Sequence, residues 1–188
     1  MAFIVVLDAT ALYPSTLRDV LLRAHDRGIY QAKFTEAILE EVRSAVLRKY
    51  RDANMDRTIQ LIRENFGDAL VHDYERLMPV MTNETDDRHV LAAAVACGAQ
   101  LIVTDNVGDF PDESCAPYNI DVKTADDFLR DLWDLDSEAI MATLREAAAG
   151  TSRPRLDVRG VLERLRATAP TFAETVKRSP VIGRDEEA

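Results

Sequence analysis

Two short apolar runs set the limits on what this chain can fold into. Phe3–Leu7 (FIVVL) and Leu101–Thr104 (LIVT) are continuous and rich in β-branched residues, without alternation of polar and apolar positions. A strand with one wet face alternates, so unbroken runs of this length fit central strands of a parallel sheet, buried on both faces. Parallel neighbours need a crossover, usually a helix, and helical patterns do fall between the strands. Leu17–Ala24 predicts a helix stopped by Gly28, and Gln31–Phe34 a short strand. Thr35 reads as the N-cap of a helix to Lys49, and Met55–Phe66 as an amphipathic helix closed by Gly67. A short strand is expected at Ala69–His72 and a helix at Asp73–Met78, broken at Pro79. The run HVLAAAVACGA has acidic residues before it and Gly98 near its end, which predicts a helix leading into the Leu101 strand. Ile120–Val122 predicts a third strong strand and Ala125–Trp133 the helix after it. The fold class is therefore α/β, with a central, mainly parallel sheet flanked by helices.

Beyond this the pattern is purely helical. Ser137–Ala149 is Ala-rich, GTSRPR reads as a hinge, Val158–Arg166 is a basic helix, and a short helix after Pro170 runs to Lys177. The end, SPVIGRDEEA, is expected to fray. The expected division is an α/β domain over 1–135 and a helical C-terminal extension over 136–188, with a basic segment and a frayed end.

Charge follows the same division. The net charge of −10 excludes a general polyanion binder, which needs Lys and Arg against phosphates. Residues 1–150 carry a balance of −12, whereas residues 151–184 carry +5. The basic segment is expected to contact phosphates or dock an acidic partner, or else to be a solvated helix that packs a domain or a dimer. Cys97 and Cys115 form no CxxC pair, and His25, His72 and His89 lack zinc-ligand spacing. VLAAAVACGA is about half the ~20 residues of a membrane span, and the first residues lack a leader's basic region. These features lead to the expectation of a cytoplasmic chain without a membrane segment.

In open parallel sheets, sites form beyond the carboxyl ends of the strands. The first strand runs into Asp8, and the second into Thr104, Asp105, Asn106 and then Asp109. Helices add Glu41, Asp86 and Asp87. Carboxylates that converge repel one another unless a divalent cation neutralises them, and hard oxygen ligands select Mg²⁺ or Mn²⁺. Such a metal can polarise a phosphoryl oxygen and activate water. Each residue also has a plainer reading. Asp8 could cap the next turn, Asp86 and Asp87 could serve a helix N-terminus, Asp105 could be an ordinary loop residue, and Asp109 could form a turn before Pro111. At about 100° per residue, Glu41 lies about 100° from the centre of its helix's apolar stripe, flanking the buried face, and Glu40 about 160°, toward solvent. His89 reads as a packing or helix-surface residue, since metal-driven chemistry needs no histidine base, and Trp133 reads as core. LDAT begins like a haloacid-dehalogenase phosphatase motif, but Thr10 stands where that motif needs a second Asp. Neither a Gly-rich phosphate loop nor a GxSxG elbow is present.

Together, FIVVLDATAL, ILEEVRSAVL and DDRHVLAAAVACGAQLIVTDNVGDFP resemble the PIN-domain ribonucleases, in particular toxins of VapC type. The resemblance covers about residues 1–133, and the third block is the most specific. It implies a PIN-like three-layer fold and an acidic site that binds Mg²⁺ or Mn²⁺ and hydrolyses RNA phosphodiesters. By motif position Asp8 matches the first acid, Glu41 in E-V-x-x-A-V the helix acid, and Asp87, five before the first Ala of the Ala-rich run, the third. The fourth position two after Thr104 is Asn106, and Asp109 matches the pattern T-x-N-x-x-D-F. Asp109 is therefore the expected fourth acid, with Asn106 supporting and Asp105 in reserve. Thr10 and Thr104 match hydroxyl positions that buttress the acids. An endoribonuclease toxin of a type II toxin–antitoxin pair is the implied function, with RNA as substrate, an antitoxin partner and a homodimer. The alternatives are an inactive partner-binding module and a phosphatase-like hydrolase.

Overall fold

The computed structural model describes residues 3–51 and 53–183, with the backbone alone at 182 and 183. Strand β1 is Ile4–Leu7, and Val5, Val6 and Leu7 are fully buried, as a strand covered on both faces requires. The chain then forms α1 (Ala9–Leu12), α2 (Ser15–Asp26), β2 (Gln31–Lys33), α3 (Glu36–Lys49) and α4 (Met55–Asn65). After three 3-10 segments, Gly67–Ala69, Glu75–Val80 and Thr85–Asp87, come α5 (Arg88–Cys97), β3 (Leu101–Val103), α6 (Asp112–Cys115) and β4 (Asp121–Lys123). Five helices follow: α7 (Ala125–Leu135), α8 (Ser137–Ala149), α9 (Val158–Leu165), α10 (Pro170–Arg178) and α11 (Pro180–Gly183).

The sheet order is β2-β1-β3-β4 and every pairing is parallel. This is the expected α/β class, with a C-terminal helical region. From β1 the chain moves to one side for β2 and to the other for β3, so strand order reverses between β1 and β3, where open sheets place their sites. Leu7 pairs with Val103, which sets Asp8 beside Thr104 at the carboxyl ends of both strands. Helix α5 packs against β1 and β3. Its all-apolar run is buried from Val90 to Ala94, and Gly98 at φ 68° ends it in a left-handed cap.

The structure departs from expectation in three places. The strand expected at Ala69–His72 shrinks to one parallel bridge, Phe34 to Leu70, because a 3-10 turn takes Gly67–Ala69 and Asp73 turns away at φ 59°. The segment expected to break at Pro79 continues as 3-10 to Val80, since its bonds are donated by Leu77 and Met81 and none is asked of the proline. Of the terminus expected to fray, Pro180–Gly183 is helical, and 184–188 lie outside the described residues.

The chain forms two compact units, one of residues up to 13 with 31–123, the other of 14–30 with 124 onward. A cut between 135 and 136 would pass between α7 and α8, which both lie in the second unit. In that unit α10 packs on α7 and α9, and α8 on α2 and α9. Leu162, Leu165, Phe172 and Val176 are fully buried, so the basic segment contributes one face to a core. Asp126 of α7 caps α10, accepting the Thr171 and Phe172 N–H groups at 3.0 and 2.7 Å. Arg166 and Lys177 are held by Glu163, whereas Arg153, Arg155 and Arg164 are exposed. Among the described residues no helix is long and apolar enough to cross a membrane.

Candidate active site

Asp8 leaves β1 as the N-cap of α1. Its carboxylate is 2% exposed. Oδ2 accepts the Thr10 hydroxyl at 2.9 Å and the Thr104 hydroxyl at 2.8 Å. Thr10 Oγ1 in turn accepts the Asp105 N–H at 3.0 Å, and Thr104 Oγ1 the Asn106 N–H at 3.1 Å. Both hydroxyl protons are thus spent on one carboxylate oxygen, so the 3.2 Å approach of the two hydroxyls is a contact rather than a further donation. The hydrogen bonds described for the Asp8 carboxylate all fall on Oδ2, which leaves Oδ1 available at the switch point.

Asp87 is the N-cap of α5 and makes no side-chain cap bond, so its carboxylate is not used in starting the helix. Burial and the charges of Asp8, Asp109 and Glu41 push its pKa up to about 6, against a smaller opposing effect of His89. The charges of Asp8, Asp109 and Glu41 thus all act on Asp87. Asp109 ends a 3-10 turn, and its carbonyl accepts the Glu84 N–H at 3.1 Å, tying its loop to the one that carries Asp87. Asp105 is exposed and is not among the charges that raise Asp87. Asn106 is exposed and contributes its backbone N–H. Asp86 is exposed, and the capping expected at this turn falls instead to Glu84, which accepts the Thr85 N–H.

Glu41, on α3, is exposed rather than tucked against the buried face, and its Oε1 lies 2.9 Å from His89 Nε2. Burial opposes charge on His89, but the Glu41 hydrogen bond and the charges of Glu41, Asp8 and Asp87 outweigh it and raise its pKa. Sequence reasoning left His89 outside the site. The usable signal was its position two residues after Asp87, in the first turn of the helix that this acid precedes. Asn83, four residues before Asp87, has a buried side-chain amide with no hydrogen-bond partner among the described residues.

The donor set fits a hard divalent cation in kind: carboxylate oxygens, one of them raised in pKa by burial and then by neighbouring carboxylate charges. As they stand, no three His, Cys, Asp or Glu side chains among the described residues are close enough to grip an ion. The burial and charge environment of Asp87 has a measurable consequence in the metal-free protein. A folded pKa above the unfolded value makes the ionised group a cost. That cost is absent below about pH 4 and sets in as pH rises toward 6. Asp87→Asn should therefore stabilise the metal-free protein at pH 7.5 by about 1 kcal/mol, allowing for solvent screening, or ~2–4 °C in Tm. The gain should vanish near pH 4. Unchanged melting at pH 7.5 would contradict it.

The PIN domain family matches residues 4–108, and the family described as the VapC50 C-terminal domain matches residues 125–178. A Mycobacterium tuberculosis protein named as a ribonuclease, VapC50, is 38% identical over 110 residues, 58% of this chain. The match spans 65% of that relative's length. No solved structure matches.

Proposed function

This chain belongs to the PIN-domain family, and from that premise we propose that it is a Mg²⁺- or Mn²⁺-dependent endoribonuclease, the toxin of a type II toxin–antitoxin pair. The observation that carries this reading is the buried Asp8, whose carboxylate is locked by two threonines and whose charge, with those of Asp109 and Glu41, acts on Asp87. The name of the VapC50 relative supports RNA as the substrate.

In this reading Asp8, Asp87 and Asp109 would hold the cation, and Glu41 would orient the attacking water or serve a second cation. The bound metal supplies Lewis-acid polarisation of the phosphodiester and activation of water near neutral pH. Thr10 and Thr104 saturate Asp8 Oδ2 and so aim Oδ1. The N–H donations from Asp105 and Asn106 pin the loop after β3 to the same hydroxyls, so that loop and its Asp109 keep register with Asp8. Binding of RNA to so acidic a site requires the cation, and affinity should weaken with salt. An antitoxin partner, a homodimer and a cytoplasmic location belong to the same proposal. So does a role for exposed Arg153, Arg155 and Arg164 in holding RNA or an acidic partner.

The test is cleavage of a structured RNA with Mn²⁺, with and without chelator. Activity that survives chelation would overturn the metal assignment. Cleavage of a phosphomonoester but not RNA would favour a phosphatase, and partner binding without hydrolysis an inactive scaffold. Thr104→Val, which removes one hydroxyl from Asp8 and the acceptor for the Asn106 N–H, should lower kcat by about 10–100-fold with KM little changed. Wild-type kcat in that variant would show that the threonine does not support the site.

A further inference from the structure

Glu41 sits on the solvent side of α3 with its side chain 47% exposed, and a glutamate so placed has little reason to keep one rotamer. Glu40, the residue before it, is tied to Arg43 and Ser44 of its own helix. The one hydrogen-bonding partner described for the Glu41 carboxylate is His89 on α5, at 2.9 Å. The His89 side chain is 10% exposed, and its Nδ1 is buried without a hydrogen bond among the described residues. A carboxylate accepts and cannot donate, so Nε2 carries the hydrogen whether the ring is neutral or charged.

An apolar residue would fill this position on α5 without burying an unpaired nitrogen, which costs stability. The single bond the ring does make reaches an acid whose charge is sensed at Asp87. We propose that His89 is the positioning residue for Glu41: its Nε2–H fixes an otherwise mobile carboxylate beside Asp8 and Asp87. The proposal rests on the nuclease reading for its effect on rate, but not for its geometry. In the reaction His89 neither touches substrate nor moves a proton. It acts through Glu41 alone, which a double-mutant cycle isolates.

The test compares His89→Leu, His89→Gln, Glu41→Ala and the double variant His89→Leu/Glu41→Ala in the full chain. His89→Leu should lower kcat by about 10–100-fold with KM within about twofold and no loss of Tm. His89→Gln, whose amide N–H reaches a similar point, should restore kcat to within about threefold of wild type. In the Glu41→Ala background His89→Leu should cost nothing further. Crystals of metal-free His89→Leu should show Glu41 spread over several rotamers, on an unchanged α3 backbone. Equal losses in both backgrounds, a Gln variant as impaired as Leu, or an unmoved Glu41 rotamer would each overturn the proposal. If the wild-type protein cleaves no RNA, the nuclease reading fails, and the Glu41 rotamer comparison still decides the positioning role.

Discussion

Asp8→Asn should lower Mn²⁺-dependent RNA cleavage by about 10³-fold, roughly 4 kcal/mol of lost transition-state stabilisation, in a protein that still folds. Asp8 is 2% exposed, and its engaged oxygen is Oδ2, which accepts the Thr10 N–H at 3.5 Å and, at shorter range, two hydroxyls. An amide can keep both of those donations on its carbonyl oxygen. Its NH₂ group then replaces Oδ1, putting donors where the proposed cation needs an acceptor. Geometry is kept while charge and one lone-pair site are lost, so the effect falls on chemistry. Metal-free stability should hold or rise, because a negative charge beside Asp87 is removed. Single-turnover cleavage and thermal melting of the same samples check both halves. Activity within tenfold of wild type would sink the nuclease site as drawn.

Phe172→Ala should destabilise the protein by about 3–5 kcal/mol, the range for removing a fully buried aromatic ring. Phe172 is completely buried in the second unit, with its ring edge-on to Trp133 at 6.4 Å between centroids. It also lies in the first turn of α10, where Asp126 accepts its N–H. Truncation leaves a cavity at the meeting of α7, α9 and α10 rather than a surface that water can fill. Arg164→Ala, exposed in the same unit, should change stability by less than about 0.5 kcal/mol. Urea unfolding of the two variants separates a packed segment from an appended tail. A cost below about 1 kcal/mol for Phe172→Ala would show that the ring is not held as described. For the same reason, the basic segment is better tested by replacing Arg153, Arg155 and Arg164 than by deletion, which would remove buried core along with charge.

Much of the frame was legible in local pattern. FIVVL and LIVT became β1 and β3 because unbroken β-branched runs have one low-energy use in a small α/β protein. Thr35 caps α3 at the predicted position, accepting the Ile38 N–H, since capping is read from a few adjacent residues. The strand expected near Ala69 was less legible, because Gly67 and Asp73 adopt conformations set by neighbouring packing. His89 was legible only as a packing or helix-surface residue, and illegible as Glu41's partner. Its burial follows from the period of α5, but its contact follows from how α3 and α5 face each other.

By itself the sequence determined a parallel α/β sheet, with acids placed after its strands, an acidic body and a basic end. Periodicity and capping are properties of neighbouring residues, and they survive without any tertiary contact. Only the tertiary structure decided that Leu7 pairs with Val103, and hence that one oxygen of Asp8 is bound by Thr10 and Thr104 while the other is left open. It also decided that the helix acid is held by a histidine, and that the basic end supplies core to its own unit. Such facts depend on register and on the facing of distant elements, which are fixed by burial summed over the whole chain.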